Sequence, residues 1–274
     1  MRAISRVADV SLNTVTKLLV DAGKACATFH DEAVRNVKAT NIQADEIWSF
    51  CYAKDKTLPT AKAAPDGAGS VWTWTALDRD SKLIISYLVG ARDAGYAMEF
   101  MEDLRSRLAN RVQLSSDGLS AYPSAVETAF GAQIDFAQLV KVFGPAPTSP
   151  NTRYSPAPCI GIHKTVVSGD PAIDQVCTSH VERSNLSFRM HMRRFTRLTN
   201  AHSKKFENHC HMVSLYAVWY NFVRINSAVR MAPAMAVGLS DHLWEMTDIV
   251  KLIDDAIPPT AKRGPYKKRS TQSA

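Results

Sequence analysis

Between residues 42 and 142 the spacing of apolar residues changes in a fixed order, and that order narrows the possible folds more than any other feature. Residues 42–52 read as one buried run, 71–77 (VWTWTAL) alternate Thr and Trp with period two, and 82–89 form a third extended run behind the turn residues 78–80. Side chains alternate between the faces of a strand, so these runs predict three strands. Ala97, Met98, Met101, Leu104 and Leu108 then recur at helical spacing. Residues 112–115 predict a fourth strand, 122–130 a short helix, and 134–142 a fifth strand. Three meandering strands followed by helix, strand, helix and strand predict an α/β fold, a mixed sheet flanked by helices.

Acidic residues mark this pattern. Asp45 lies in IQADEIW and Asp117 closes VQLSSDG, while Glu182 sits in SHVERSNLSFR, which reads as a helix starting near Thr178. Two strand-borne carboxylates and one on a helix are what a pair of divalent ions needs for phosphoryl transfer. Hard cations take oxygen ligands, and magnesium usually accepts one or two carboxylates plus water and substrate phosphate. Asn185 lies one turn after Glu182 and Arg189 two turns after it, so both share its face, where Asn185 is expected to orient a ligand or phosphate (or make an ordinary surface hydrogen bond) and Arg189 to hold a DNA backbone. Glu46 neighbours Asp45, and strand neighbours face opposite sides, so only one is expected to reach a shared site. Ordinary explanations stand beside these. Asp117-Gly118 is a common turn pair, Ser179 and Glu182 fit an S-x-x-E capping box, and a core arginine is a natural partner for Asp45.

The formal net charge of +7 points towards a polyanionic partner. Residues 189–205 read as a continuation of the Glu182 helix holding Arg193, Arg194, Arg197, Lys204 and Lys205, with His191 and Phe195 interleaved. Such a stretch suits backbone phosphate, although a solvated charged face has the same composition. The tail at 262–269 (KRGPYKKR) is basic as well. At the other end, residues 4–22 hold two helical patterns around a turn at Asp9, with Ser11 as cap of the second. Val15, Leu18, Leu19 and Ala22 mark its buried stripe. This is the pattern of a helix-turn-helix with Asn13, Thr14, Thr16 and Lys17 facing the groove; an ordinary helical hairpin fits the same residues. Asp9 stands where such turns usually carry glycine, and Asp tolerates left-handed backbone. Residues 24–40 read as a helical linker, 57–70 as a hairpin excursion, and 145–170, with five of the 13 prolines, as an irregular loop. Helices are expected at 207–224 and 243–253.

Five scattered cysteines argue against a disulfide framework, and no apolar run is long enough to cross a bilayer. A soluble protein in a reducing, cytoplasmic, nucleoid-associated setting is expected, with no membrane partner. Cys159-x3-His163 and Cys177-x2-His180 have spacing that a structural zinc ion accepts, but chance clustering is the favoured reading. His209-Cys210-His211 reads as core filling.

HVERSNLSFRMHMRRFTRLTNAHSKKFENH and the later YNFVRIN resemble the insertion-sequence-one type of DDE transposase, and QADEIWSF and SSDG fall where that family has its first two aspartates. The resemblance spans about residues 4–253. It implies a ribonuclease H-like fold and a two-metal mechanism using Mg2+ or Mn2+, and it selects Asp45 over Glu46, with Asp117 and Glu182 completing the metal ligands. It further implies cleavage of element ends and strand transfer into target DNA by a dimer or higher assembly. Members often carry a zinc-binding segment at the amino end; residues 1–40 hold one cysteine, Cys26. The expected organisation is a helix-turn-helix and linker at 1–40, a catalytic domain at 41–226 and a C-terminal helix with basic tail at 227–274. A DNA-binding regulator with structural carboxylates, or a metal nuclease without strand transfer, are the alternatives.

Overall fold

The computed structural model describes residues 1–145, 157–196 and 200–256. Its strands are β1 (Asn41–Cys51), β2 (Gly69–Asp78), β3 (Ile84–Gly90), β4 (Val112–Ser116), β5 (Ile134–Phe143) and β6 (Cys159–Ser168). They form one mixed sheet in the order β3-β2-β1-β4-β5-β6. β1, β2 and β3 form an antiparallel meander, β4 and β5 run parallel to β1, and β6 returns antiparallel along β5. The first five strands stand where the apolar spacing predicts them, in the order of a ribonuclease H-like sheet. Strand β6 corrects the expected irregular loop at 145–170. Its residues are largely exposed, so it lacks the buried run that marks the other strands.

Helices cover both faces, which is why β1 is buried along nearly its whole length. One face packs against α2 (Leu12–Ala33), α3 (Ala94–Arg107) and α4 (Ala121–Phe130), with Trp74, Phe100, Tyr122 and Phe136 fully buried between them. The other packs against α5 (Ser179–His191) and α6 (Phe206–Val218) through Ile47, Leu77, Ile84, Val181, Phe188 and Val213. The alternation in VWTWTAL therefore does not mark a wet face: Thr73 and Thr75 are as buried as Trp74.

At the amino end, α1 (Arg2–Val7) and α2 flank the predicted turn. Asp9 takes a left-handed φ of 50°, and the Ser11 side chain accepts from the Thr14 amide at 3.0 Å. α1 contributes no buried residue. Two expectations fail here. Leu18 is 56% exposed and not part of the buried stripe. Residues 24–33 are helical as expected, but they are no separate linker: they form the second half of α2, one 22-residue helix whose Cys26 and Phe29 join the main core. Gly23 is the reason that half can dock: a Cβ there would lie 2.3 Å from the His211 Cβ of α6.

The basic helix expected through 205 is also corrected. α5 ends at His191, and the chain turns back through a 3-10 turn at Arg193–Phe195. That turn buries both Met192 and Phe195, the latter edge-on to Phe188. The helix expected at 207–224 is α6 followed by a π-helical turn at Trp219–Val223. A short α7 (Pro233–Ala236) precedes α8 (Met246–Ala256), whose Ile249 and Ile253 pack on the main core and on α2. Arg197 and the basic tail at 262–269 lie outside the described residues.

Candidate active site

Strand lengths create the site. Pairing between β1 and β4 stops at Ala44 opposite Ser116, whereas β1 continues to Cys51 with β2 on its other edge. Asp117, the residue after β4, therefore falls beside Asp45 at an open strand edge. One carboxylate oxygen from each of Asp45, Glu46 and Asp117 lies within 4.8 Å of the others. Glu46 overturns the expectation that only one of the strand neighbours reaches the site. The two do leave β1 on opposite sides, but beyond the end of β4 no strand separates the faces.

Each carboxylate is held differently. Asp45 Oδ2 accepts from Asn185 Nδ2 of α5 at 2.8 Å. Glu46 is buried, with one oxygen accepting from Arg92 Nε at 2.9 Å and the other from the Tyr122 hydroxyl. Asp117 Oδ1 accepts from the Leu119 amide at 3.0 Å, so the turn reading of Asp117 and its place in the cluster both hold. Its Oδ2 lies 3.6 Å from Arg92 Nη2. Gln138 Nε2 fastens the same loop through the Asp117 and Leu119 carbonyls, at 2.8 and 3.0 Å. A side chain at Gly118 would meet Val140 at 2.7 Å, so the turn sits directly on β5.

Burial pushes the Asp45 carboxyl up to about 7, helped by the charges of Glu46 and Asp117 and, less, by Glu182. Burial raises Glu46 also, against the hydrogen bonds from Tyr122 and Arg92. Burial thus disfavours the anions of both Asp45 and Glu46.

Glu182 arrives on α5, whose placement depends on Gln43 of β1. Gln43 Oε1 accepts from the amides of both His180 and Val181, at 2.9 and 3.0 Å, and so occupies the helix start. The alternative capping box does not form: Glu182 Oε1 accepts from the Thr178 hydroxyl at 2.7 Å and pairs with Lys141 of β5. Glu182 stands outside the 4.8 Å group, and its charge reaches Asp45 without contact. Arg92, Tyr122 and Lys141 were not singled out from sequence, and Glu46 was weighed there and set aside for Asp45. Only Glu46 carried a signal, its adjacency to Asp45.

No family model and no curated protein sequence matches the chain. Solved structures do. The cryoEM structure of a simian T-cell lymphotropic virus intasome in complex with PP2A regulatory subunit B56 gamma aligns with a TM-score of 0.44 at 12% identity, covering 85% of this chain and 62% of that one. The crystal structure of the Mos1 strand transfer complex aligns with a TM-score of 0.26 at 12% identity, covering 73% and 59%. The chain spans less than two thirds of either neighbour.

Of the expected groove-facing residues, Asn13, Thr14 and Lys17 are exposed, while Thr16 is half-buried with its hydroxyl on the Leu12 carbonyl at 2.9 Å. Lys17 pairs with Asp21 at 2.6 Å. Arg193, Lys204 and Lys205 are exposed and Arg189 is half-buried. Arg194 is half-buried and donates to Ser203 Oγ at 2.9 Å, which makes it a strut between chain segments. Asn185 belongs with Asp45, as above. Among the described residues the acidic trio is the one group of metal-ligating side chains brought together. Cys159 and His163 are exposed on β6, and His180 lies against Lys82, so the zinc spacing gathers no site. His209 is fully buried between Ser49 and Ser203, as core filling requires.

Proposed function

We propose that this chain is a DDE transposase, cleaving the ends of a DNA element and transferring the freed strands into target DNA. The observation that carries this reading is the convergence of Asp45 and Asp117 at the open edge of β1, with α5 tied to Asp45 through Asn185. The donor set fits divalent ions: all its ligands are hard oxygens, and a cation would offset the burial and the like charges that raise the Asp45 carboxyl to about 7. Asp45 and Asp117 would hold two Mg2+ or Mn2+ ions between them, with Glu182 completing the set. Such ions, when bound, acidify an attacking water or 3′-hydroxyl and stabilise the leaving oxygen of each in-line displacement.

The chain's own residues do the rest. Asn185 fixes the rotamer of Asp45, and Gln43 sets the height of α5 against β1, which decides how far Glu182 reaches. Lys141 now shares Glu182 and is positioned to turn to a phosphate when the carboxylate is taken up. Exposed Arg193, Lys204 and Lys205, with Arg189, are assigned to the DNA backbone, and Asn13, Thr14, Thr16 and Lys17 to the terminal repeat. Residues 1–40 would read element ends, 41–226 carry the chemistry, and 227–274 extend it. Joining two ends to one target calls for a dimer or higher assembly, working where DNA lies. No helix among the described residues is long and apolar enough to cross a membrane.

A second reading has an observation in its favour. A DNA-binding regulator with structural carboxylates would pair them, and Glu46 and Glu182 are paired, with Arg92 and Lys141. Asp45 opposes it, because its carboxyl is raised by burial and by the neighbouring charges of Glu46 and Asp117, and its hydrogen-bond partner on α5 is the neutral Asn185. Alanine at Asp45, Asp117 or Glu182 separates the two: the expected result is loss of magnesium-dependent cleavage with end binding retained. Activity retained in all three would remove the assignment. A nuclease without transfer would cleave and leave every 3′-end unjoined.

A further inference from the structure

Arg92, in the loop between β3 and α3, is held at two strengths. Its Nε is 2.9 Å from buried Glu46, whose other oxygen is taken by Tyr122, and its guanidinium lies 4.9 Å from the centre of the Trp72 ring. These contacts fix one end of the fork. The other end, Nη2, stands 3.6 Å from Asp117 Oδ2, beyond hydrogen-bond length, where the attraction is electrostatic. Glu46 side-chain exposure is 1%, whereas Arg92 and Asp117 show 33% and 38% and border solvent. Both oxygens of Glu46 are committed, so Glu46 acts on the site through the arginine.

We infer that Arg92 is the resident counter-cation of the acidic site, anchored on Glu46 and displaced from Asp117 when a divalent ion binds. The inference rests on the metal reading of Asp45 and Asp117. A guanidinium and a metal ion cannot share one carboxylate edge without repelling each other, and at this partly exposed position that repulsion amounts to about five- to tenfold in affinity. Arg92 would thereby keep the carboxylates from driving each other apart in the ion-free protein, at the cost of weaker ion binding. It is a positioning residue, acting through Asp117 on the ion.

The test is Mn2+ binding to the full chain, followed by the electron paramagnetic resonance signal of free Mn2+, without DNA. Arg92→Gln should bind Mn2+ about five- to tenfold more tightly than the unaltered chain, by removal of one nearby charge. Arg92→Lys, which keeps that charge, should stay within about twofold. Lys56→Gln, a charge removed from the exposed surface, should change nothing. Equal or weaker binding by Arg92→Gln overturns the inference while leaving the metal reading intact. Absence of Mn2+ binding by the unaltered chain overturns both. Should Arg92→Gln not fold, Mg2+ titration of unaltered protein labelled with 15N-arginine gives the answer. The Arg92 guanidinium signals should move while those of Arg107, paired with Asp103 at 2.7 Å, stay. Unmoved Arg92 signals would refute the displacement.

Discussion

Asp45 enters the folded state at an energetic disadvantage as an anion, since burial and then Glu46 and Asp117 oppose its charge. Its folded value of about 7 lies above the ordinary 3.8, so between these values the native state keeps a proton that the unfolded chain has lost. Stability must fall as pH rises through that window, and the loss is complete above it. In metal-free buffer, Asp45→Asn should therefore raise the melting temperature at pH 8 and leave it nearly unchanged at pH 4, the gain being on the order of 2–4 kcal/mol. Equal melting at pH 8 would mean that Asp45 ionises like a surface carboxylate. Asp45 and Asp117 were legible because each interrupts or ends an apolar run. Arg92 and Tyr122 were not: GARDAGY has no pattern, and only the overrun of β1 past β4 brings that loop to Glu46.

α5 shows how an element is legible while its cause is not. Its start near Thr178 follows from the sequence, but Gln43, across the sheet, satisfies the helix amides in place of the local S-x-x-E pattern. Gln43→Ala should cost about 1–3 kcal/mol by chemical denaturation, from two hydrogen bonds lost with one buried acceptor. It should also reduce cleavage, because the height of Glu182 and Asn185 goes with the helix. A surface-like cost with full cleavage would show that α5 is fixed elsewhere. Gly23 gives the opposite lesson. Glycine within a helix ordinarily costs about 1 kcal/mol relative to alanine. Its backbone contact with His211 reverses the sign, so Gly23→Ala should destabilise, by about 1–3 kcal/mol net, in the same assay. Stabilisation would mean that α2 and α6 have room between them. The turn at Arg193–Phe195 escaped notice because Arg193 and Arg194 continue a basic run, whereas burial of Met192 and Phe195 sets the path.

At the scale of the molecule, the order of apolar periods was enough to place five strands, since each of them buries at least one side in a core. β6 was missed for the same physical reason: an edge strand with Ile160 67% and Ile162 55% exposed shows neither burial nor alternation, and prolines precede it. What the assembled sheet achieves is convergence. Asp45 and Asp117, distant along the chain, meet beside β1 just past the end of β4, and Asn185 ties α5 to them, while Glu182 stands outside that group; the proposed polynucleotidyl transfer requires Glu182 to join them. The direct measurement is the covalent joining of labelled 3′-hydroxyl element ends to plasmid DNA, with Mg2+ and with chelator, for the unaltered chain and for Asp117→Asn. The account predicts joined products with Mg2+ alone, abolished in Asp117→Asn. Joining that persists in chelator or in the Asp117→Asn chain, or its absence from the unaltered chain with Mg2+, would contradict it.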